Sequence, residues 1–232
     1  MRILFCIPYA GASASIYRHW NNRIPDTVCI PLELKGRGSR WSEPFYTVFE
    51  EAIEDLLSTI TPYISPANRI GLFGHSMGAL LAYELALALQ AQGKEIDQLF
   101  LSGRSCPQLD SNKEADHLLE DDLFVRKITS YGAAESEYLQ DPTYREFFLP
   151  ILRNDFFIIY DHKIKQAPPR ITCPVHILYG TYDQSTLGDL KNWNKYTTAL
   201  PEYTEFQGGH FFIKEFEEEV LHLIHNQMTV DY

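Results

Sequence analysis

Five residues restrict this chain more than any others: Gly74-His75-Ser76-Met77-Gly78. Before them, Arg69-Ile70-Gly71-Leu72-Phe73 reads as a short buried strand; after them, Ala79 to Leu89 reads as a helix of strong helix formers. A G-x-S-x-G pentapeptide between a strand and a helix is a nucleophile elbow, a turn so tight that its central residue is strained. Glycine is needed on both sides because a Cβ there would strike the neighbouring strand or helix. The elbow predicts a serine oxygen exposed at the carboxyl edge of a sheet, over a helix amino end. The free N–H groups and dipole of that end suit an oxyanion. The competing reading is a tight turn with no chemistry.

The rest of the chain supplies the sheet that such an elbow requires. Strand-like runs fall at Ile3–Ile7, Thr27–Pro31, Ile70–Phe73, Gln98–Ser102, Val175–Tyr179 and Tyr203–Phe206. Helical patterns lie between them at Ser15–Asn21, Val48–Tyr63, Met77–Gln92, Leu187–Ala199 and Glu215–Gln227. This alternation predicts a mostly parallel sheet covered on both faces, with the ligand crevice at the carboxyl ends of its strands. The 232 residues, 45% hydrophobic and 22% charged, suffice for one core and one domain. The amino-terminal Met1-Arg2-Ile3-Leu4-Phe5-Cys6-Ile7-Pro8 lacks a small-residue cleavage site and reads as the first strand, not a signal peptide.

One segment breaks the rhythm. From about Asp110 to Gln166 the text is helical, first acidic (Asp110, Glu114, Asp116, Glu120, Asp121, Asp122) and then aromatic (Tyr131, Tyr138, Tyr144, Phe147, Phe148, Phe156, Phe157, Tyr160). An insertion on the active-site side is expected to be a helical lid; a separate helical domain is the alternative. The net charge of −11 argues against nucleic acid or an anionic membrane as partner, and no apolar run reaches the roughly 18 residues that span a bilayer. Cys6, Cys29, Cys106 and Cys173 have no metal-ligand spacing and read as reduced thiols of a cytoplasmic protein, so no metal is expected.

A serine nucleophile needs a base oriented by a carboxylate, and on this fold the partners follow in the order serine, acid, histidine. His210 stands in Gln207-Gly208-Gly209-His210-Phe211-Phe212, between the last strand and the last helix, where two glycines let the loop turn toward Ser76. His176 reads as core or sheet surface, His222 and His225 as last-helix residues, and His117 and His162 as part of the insertion. Asp183 follows the penultimate strand in Gly180-Thr181-Tyr182-Asp183, with Asp189 as its competitor. An oxyanion hole needs two backbone donors. Met77 is expected to supply one, and the loop Pro8-Tyr9-Ala10-Gly11-Ala12-Ser13 the other, from Ala10 or alternatively Tyr9. His75 is read as structural.

With these residues in place, the chain resembles the type II thioesterases that accompany nonribosomal peptide and polyketide synthetases. The resemblance rests on Ile7-Pro8-Tyr9-Ala10-Gly11-Ala12-Ser13-Ala14, Gly36-Arg37-Gly38-Ser39-Arg40, the elbow, Leu101-Ser102-Gly103-Arg104, Pro150–Phe156 and Gly208–Phe212. Ala12, Lys35 and Asn154 depart from the usual pattern, outside the triad. The resemblance implies an α/β-hydrolase fold and no cofactor of the enzyme's own. It implies hydrolysis of acyl or aminoacyl thioesters from the 4'-phosphopantetheine arm of carrier domains, by a cytoplasmic monomer. Arg18, Lys35, Arg37, Arg40 and Arg104 are candidates for a basic rim that meets the carrier, with Arg18 and Arg37 foremost. Tyr9, Phe148 and Phe156 are candidates for binding substrate. Two rivals stay open: a carboxylester hydrolase of the same fold, and a binding protein without chemistry.

Overall fold

The computed structural model describes residues 1–107, 114–132, 139, 141–163, 169–188 and 190–230. Six strands form one sheet: β1 (Arg2–Ile7), β2 (Thr27–Pro31), β3 (Arg69–His75), β4 (Gln98–Ser102), β5 (Val175–Gly180) and β6 (Glu202–Phe206). Their order is β2-β1-β3-β4-β5-β6, and every neighbouring pair runs parallel. Parallel strands are covered on both faces, which is why β1 reads as a continuous apolar run; Ile3 through Ile7 are all fully buried. Edge strand β6 is polar over most of its length, as an edge should be.

Successive side chains of a strand point to opposite faces, so the sheet feeds two cores. Ile3, Phe5 and Ile7 pack with α1 (Phe49–Ile60) and α2 (Met77–Ala91) on one face. Leu4 and Cys6 pack on the other with Trp20, Phe73, Phe100 and the last helix, α7 (Glu217–Thr229). Eleven residues of α2 are buried, so this helix is apolar nearly all round.

The insertion contributes α3 (Asp121–Thr129) and α4 (Pro142–Asp161). Asp141 caps α4 by accepting the Thr143 N–H, and Pro142 takes the first turn, where its missing donor is harmless. The two helices share a small third cluster built on Phe124, Val125, Ile128, Leu139, Leu149 and Leu152. Asp110, Tyr138, Gln166 and Asp189, singled out from the sequence, lie outside the described residues.

Three expected helices differ in detail. The Ser15–Asn21 pattern is a 3₁₀ run over Ala14–Asn22. The Leu187–Ala199 expectation gives way to α5 (Gln184–Leu187), capped by Asp183, and a separate 3₁₀ run over Leu190–Lys195. Gly188 separates the two, and Thr197 leaves the helical course to form a parallel bridge with Ile171. The last helix is split at Phe216 into α6 (Phe212–Glu215) and α7.

Candidate active site

Ser76 links β3 to α2 with φ 54° and ψ −114°, the strained conformation expected of an elbow. Both flanking glycines are obligatory here. A Cβ on Gly74 would lie 2.0 Å from the Gly78 carbonyl oxygen, and one on Gly78 would lie 2.2 Å from that of Ile7. The Ser76 N–H donates to the Ser102 carbonyl at 2.8 Å, tying the elbow to the end of β4.

The loops after β5 and β6 converge on this serine. His210 Nε2 is 3.0 Å from Ser76 Oγ, and His210 Nδ1 is 2.7 Å from Asp183 Oδ2. Burial would raise the Asp183 pKa, but hydrogen bonds from His210 and Ser185 outweigh it and hold the carboxyl below its ordinary range. An ionised Asp183 fixes the ring with Nδ1–H toward the acid and leaves Nε2 as acceptor for the serine proton. The structure thus joins three residues that sequence spacing had only placed on three separate loops.

Two more side chains support the set. Ser185 donates to Asp183 Oδ1 through its hydroxyl at 2.6 Å and through its N–H at 3.1 Å. The sequence reading missed Ser185; its signal was a serine two residues after an aspartate that begins a helix. His75 is fully buried, 2.9 Å from the Ser102 hydroxyl through Nδ1, with its ring centroid 5.1 Å from that of His210. Burial pushes its pKa well below the ordinary histidine value, so the ring is neutral, packed beneath His210.

The backbone around Ser76 offers donors. Met77 is the first residue of α2, so its N–H has no carbonyl within the helix to reach. In the loop after β1, Tyr9 to Ala12 form a turn closed by the Ala12 N–H on the Tyr9 carbonyl at 3.0 Å. The Gly11 N–H donates to Asp155 Oδ2 at 2.6 Å. The Ala10 N–H has no acceptor among the described residues. Tyr9 and Ala10 line, with Ser76 and His210, a cavity of about 690 Å³. The insertion also lines it, through Tyr131, Phe148, Ile151, Leu152 and Phe156.

This arrangement can deprotonate a serine hydroxyl, stabilise an oxyanion and hold an apolar group beside both. A thioesterase domain family model matches residues 2–228. The chain belongs to the thioesterase family. Linear gramicidin dehydrogenase LgrE of Brevibacillus parabrevis is 32% identical to this thioesterase over 97% of the chain and 87% of its own length. The gramicidin S biosynthesis protein GrsT of Aneurinibacillus migulanus is 32% identical over 98% and 89%. The crystal structure of ClbQ from the colibactin NRPS/PKS pathway superposes with a TM-score of 0.89 at 28% identity, covering 98% of this chain and 96% of that one. LgrE carries a dehydrogenase name. In this thioesterase, however, the loop after β1 lacks the G-x-G-x-x-G spacing with which a doubly wound dehydrogenase holds its dinucleotide there.

The expected basic rim needs correction. Arg37 is 2% exposed, and its guanidinium forms a bidentate pair with the wholly buried Asp155, at 2.6 Å and 2.5 Å. It is an internal residue and cannot meet a carrier domain. Arg40 is paired with Glu43 and Asp55, and the Lys35 ammonium lies over the Tyr46 ring at 5.4 Å. Arg18 is exposed, and Arg104 lines the cavity. Tyr9 is buried between His75 and Phe211, at ring separations of 5.8 Å and 5.1 Å. Phe148 stacks on Tyr144, and Phe156 meets Phe124 edge to face. Asp155 was quoted in the sequence only as part of a motif; a lone acid amid Phe156, Phe157 and Ile158 was the available signal.

Proposed function

We propose that this thioesterase releases acyl and aminoacyl groups from the 4'-phosphopantetheine arm of carrier domains, clearing misprimed units from a nonribosomal peptide or polyketide synthetase. The observation that carries the reading is the chain of hydrogen bonds from Ser76 through His210 to Asp183, placed at an apolar cavity in a chain of this family. The peptide-antibiotic names of LgrE and GrsT and the pathway of ClbQ support the choice of carrier-bound substrate.

Ser76 Oγ attacks the thioester carbonyl while His210 Nε2 takes its proton, and the Asp183 carboxylate stabilises the imidazolium. The N–H groups of Met77 and Ala10 receive the oxyanion, each donor contributing on the order of 10²–10³ in turnover. Collapse breaks the C–S bond, and His210 returns the proton to the departing thiolate. Water, deprotonated by the same imidazole, then cleaves the acyl-enzyme and frees the acid and Ser76. The insertion of about residues 110–166 serves as a lid whose Phe148 and Phe156 hold the acyl chain, with Tyr9 at the loop end. Exposed Arg18 is the remaining foremost candidate for contact with the carrier. The enzyme works as a cytoplasmic monomer and needs no metal or cofactor of its own. No helix among the described residues is long and apolar enough to cross a membrane.

The test compares acyl-loaded carrier domains with oxygen esters of the same acyl groups, beside labelling by a serine-directed phosphonate. Faster turnover of the carrier thioesters and stoichiometric labelling at Ser76 are expected. Preference for free oxygen esters would establish the carboxylester hydrolase instead, and absence of labelling would establish a binding protein.

A further inference from the structure

Asp155 and Arg37 join both carboxylate oxygens to both terminal guanidinium nitrogens, and one atom of each also reaches a single loop. Asp155 Oδ2 accepts the Gly11 N–H at 2.6 Å, and Arg37 Nη1 donates to the Ala12 carbonyl at 3.3 Å as well as to Asp155. The loop after β1 is thus gripped at a donor and at an acceptor on consecutive residues. The grips come from distant parts of the chain, Asp155 from the middle of α4 and Arg37 from the segment after β2. Both side chains are buried, at 0% and 2% exposure, so the pair is shielded from the solvent that would weaken it. The same turn of α4 presses on the loop: Gly11 has φ +80°, and a Cβ there would stand 2.6 Å from Leu152 Cδ2.

These contacts leave the loop's donors with distinct fates. The Ala12 N–H closes the turn, the Gly11 N–H is taken by Asp155, and the Ala10 N–H remains for a ligand in the cavity. A buried ion pair is weak evidence of stabilisation, because desolvation offsets most of its attraction. Its geometry here suits another task. We infer that the Arg37–Asp155 pair is a positioning clamp that holds the Ala10 N–H on the transition-state oxyanion, making Asp155 of the insertion helix a positioning residue for catalysis. The inference rests on the proposed hydrolase reading, and it joins the cavity wall to the reaction: α4 carries both Asp155 and the acyl-facing Phe148 and Phe156.

A clamp of this kind acts on the transition state more than on the bound substrate, because the oxyanion forms only as the carbonyl is attacked. The double variant R37M/D155L replaces the pair by apolar side chains, a change that buried ion pairs often tolerate without loss of stability, and removes both grips. Asp155→Asn keeps one oxygen able to accept the Gly11 N–H and acts as the conservative partial rescue. Each is assayed with an acyl N-acetylcysteamine thioester, which needs no carrier docking, and with the matching acyl trifluoromethyl ketone, whose adduct carries the oxyanion. The double variant is expected to lose roughly 10- to 100-fold in kcat with KM within about twofold, and to bind the ketone more weakly by the same factor. D155N is expected to fall between it and the wild type. Should the double variant fail to fold, the same comparison is made on D155N alone. A folded variant with wild-type kcat and ketone affinity overturns the clamp, as does a loss confined to KM. Ser76→Ala separates the two levels: retained turnover there sinks the hydrolase reading, whereas an inert S76A beside unimpaired clamp variants sinks the clamp alone.

Discussion

Ser76, His210 and Asp183 sit on loops that leave a six-stranded sheet, whereas Phe148 and Phe156 reach the same cavity from α4, which shares a small apolar cluster with α3, and Tyr131 reaches it from the turn after α3. The first region inherits its geometry from the sheet. Register fixes where β3, β5 and β6 end, and the elbow admits no Cβ at Gly74 or Gly78 without collision with backbone. The second region is tied to the body by particular polar contacts: Asp155 to Arg37 and Gly11, the Asn154 amide to the Tyr46 carbonyl, Asp161 to the Phe49 N–H, and His162 to Glu84. All four lie in the second half of α4 or at its end. The triad is thus mounted on strand ends, while the insertion's share of the cavity wall depends on side-chain contacts.

The comparison breaks most visibly on the sheet side. Asp183→Asn keeps the shape of the acid but loses its charge and favours the wrong tautomer of His210. Turnover should fall by about 10⁴-fold, measured by steady-state deacylation, while a thermal melt still shows one cooperative folded state. A loss of only a few-fold would mean that another group orients His210.

On the insertion side, Phe124→Ala removes the ring that packs against Phe156 and under the Arg153 guanidinium. Truncation of a buried phenylalanine costs about 3–5 kcal/mol where it is felt. Here it should loosen the third cluster and shift acyl-length preference by roughly 10-fold, read from kcat/KM across a chain-length series. Phosphonate labelling of Ser76 should stay within about threefold. Equal damage to labelling would show that the two regions are one cooperative unit.

What the sequence made legible follows the same division. The elbow, the strand ends and His210 could be read because short continuous apolar runs and glycine pairs are local signals whose consequences are also local. Arg37 could not be read correctly, since its fate is set by Asp155, 118 positions away, and nothing near Arg37 distinguishes a buried guanidinium from a rim cation. The segment after β5 was misjudged for a similar reason: Asp183 serves both the triad and the cap of α5, while Thr197 is recruited by Ile171 into a bridge.

The smallest expected effect concerns acid. His75 is kept neutral by burial, with its pKa well below the ordinary 6.5. The unfolded chain therefore binds a proton below about pH 6.5 that the folded chain refuses, so this contribution to stability is present above that pH and fades as pH falls toward the folded value. Asp183 acts in the same direction lower down: its depressed pKa stabilises the fold above the ordinary carboxylate value and is lost as pH falls through the folded one. Melting temperature should decline from pH 7 to pH 4, and His75→Gln should flatten the upper part of that slope. An unchanged slope in H75Q would assign the acid sensitivity elsewhere.

The most direct test of the whole account is rapid-quench mass spectrometry of the intact enzyme during a single turnover of an acyl-loaded carrier domain. A transient increase of one acyl mass, mapped to the peptide containing Ser76 and decaying as free acid appears, is the predicted result. Deacylation of the carrier at an undiminished rate by S76A, with no adduct formed on either protein, would contradict it.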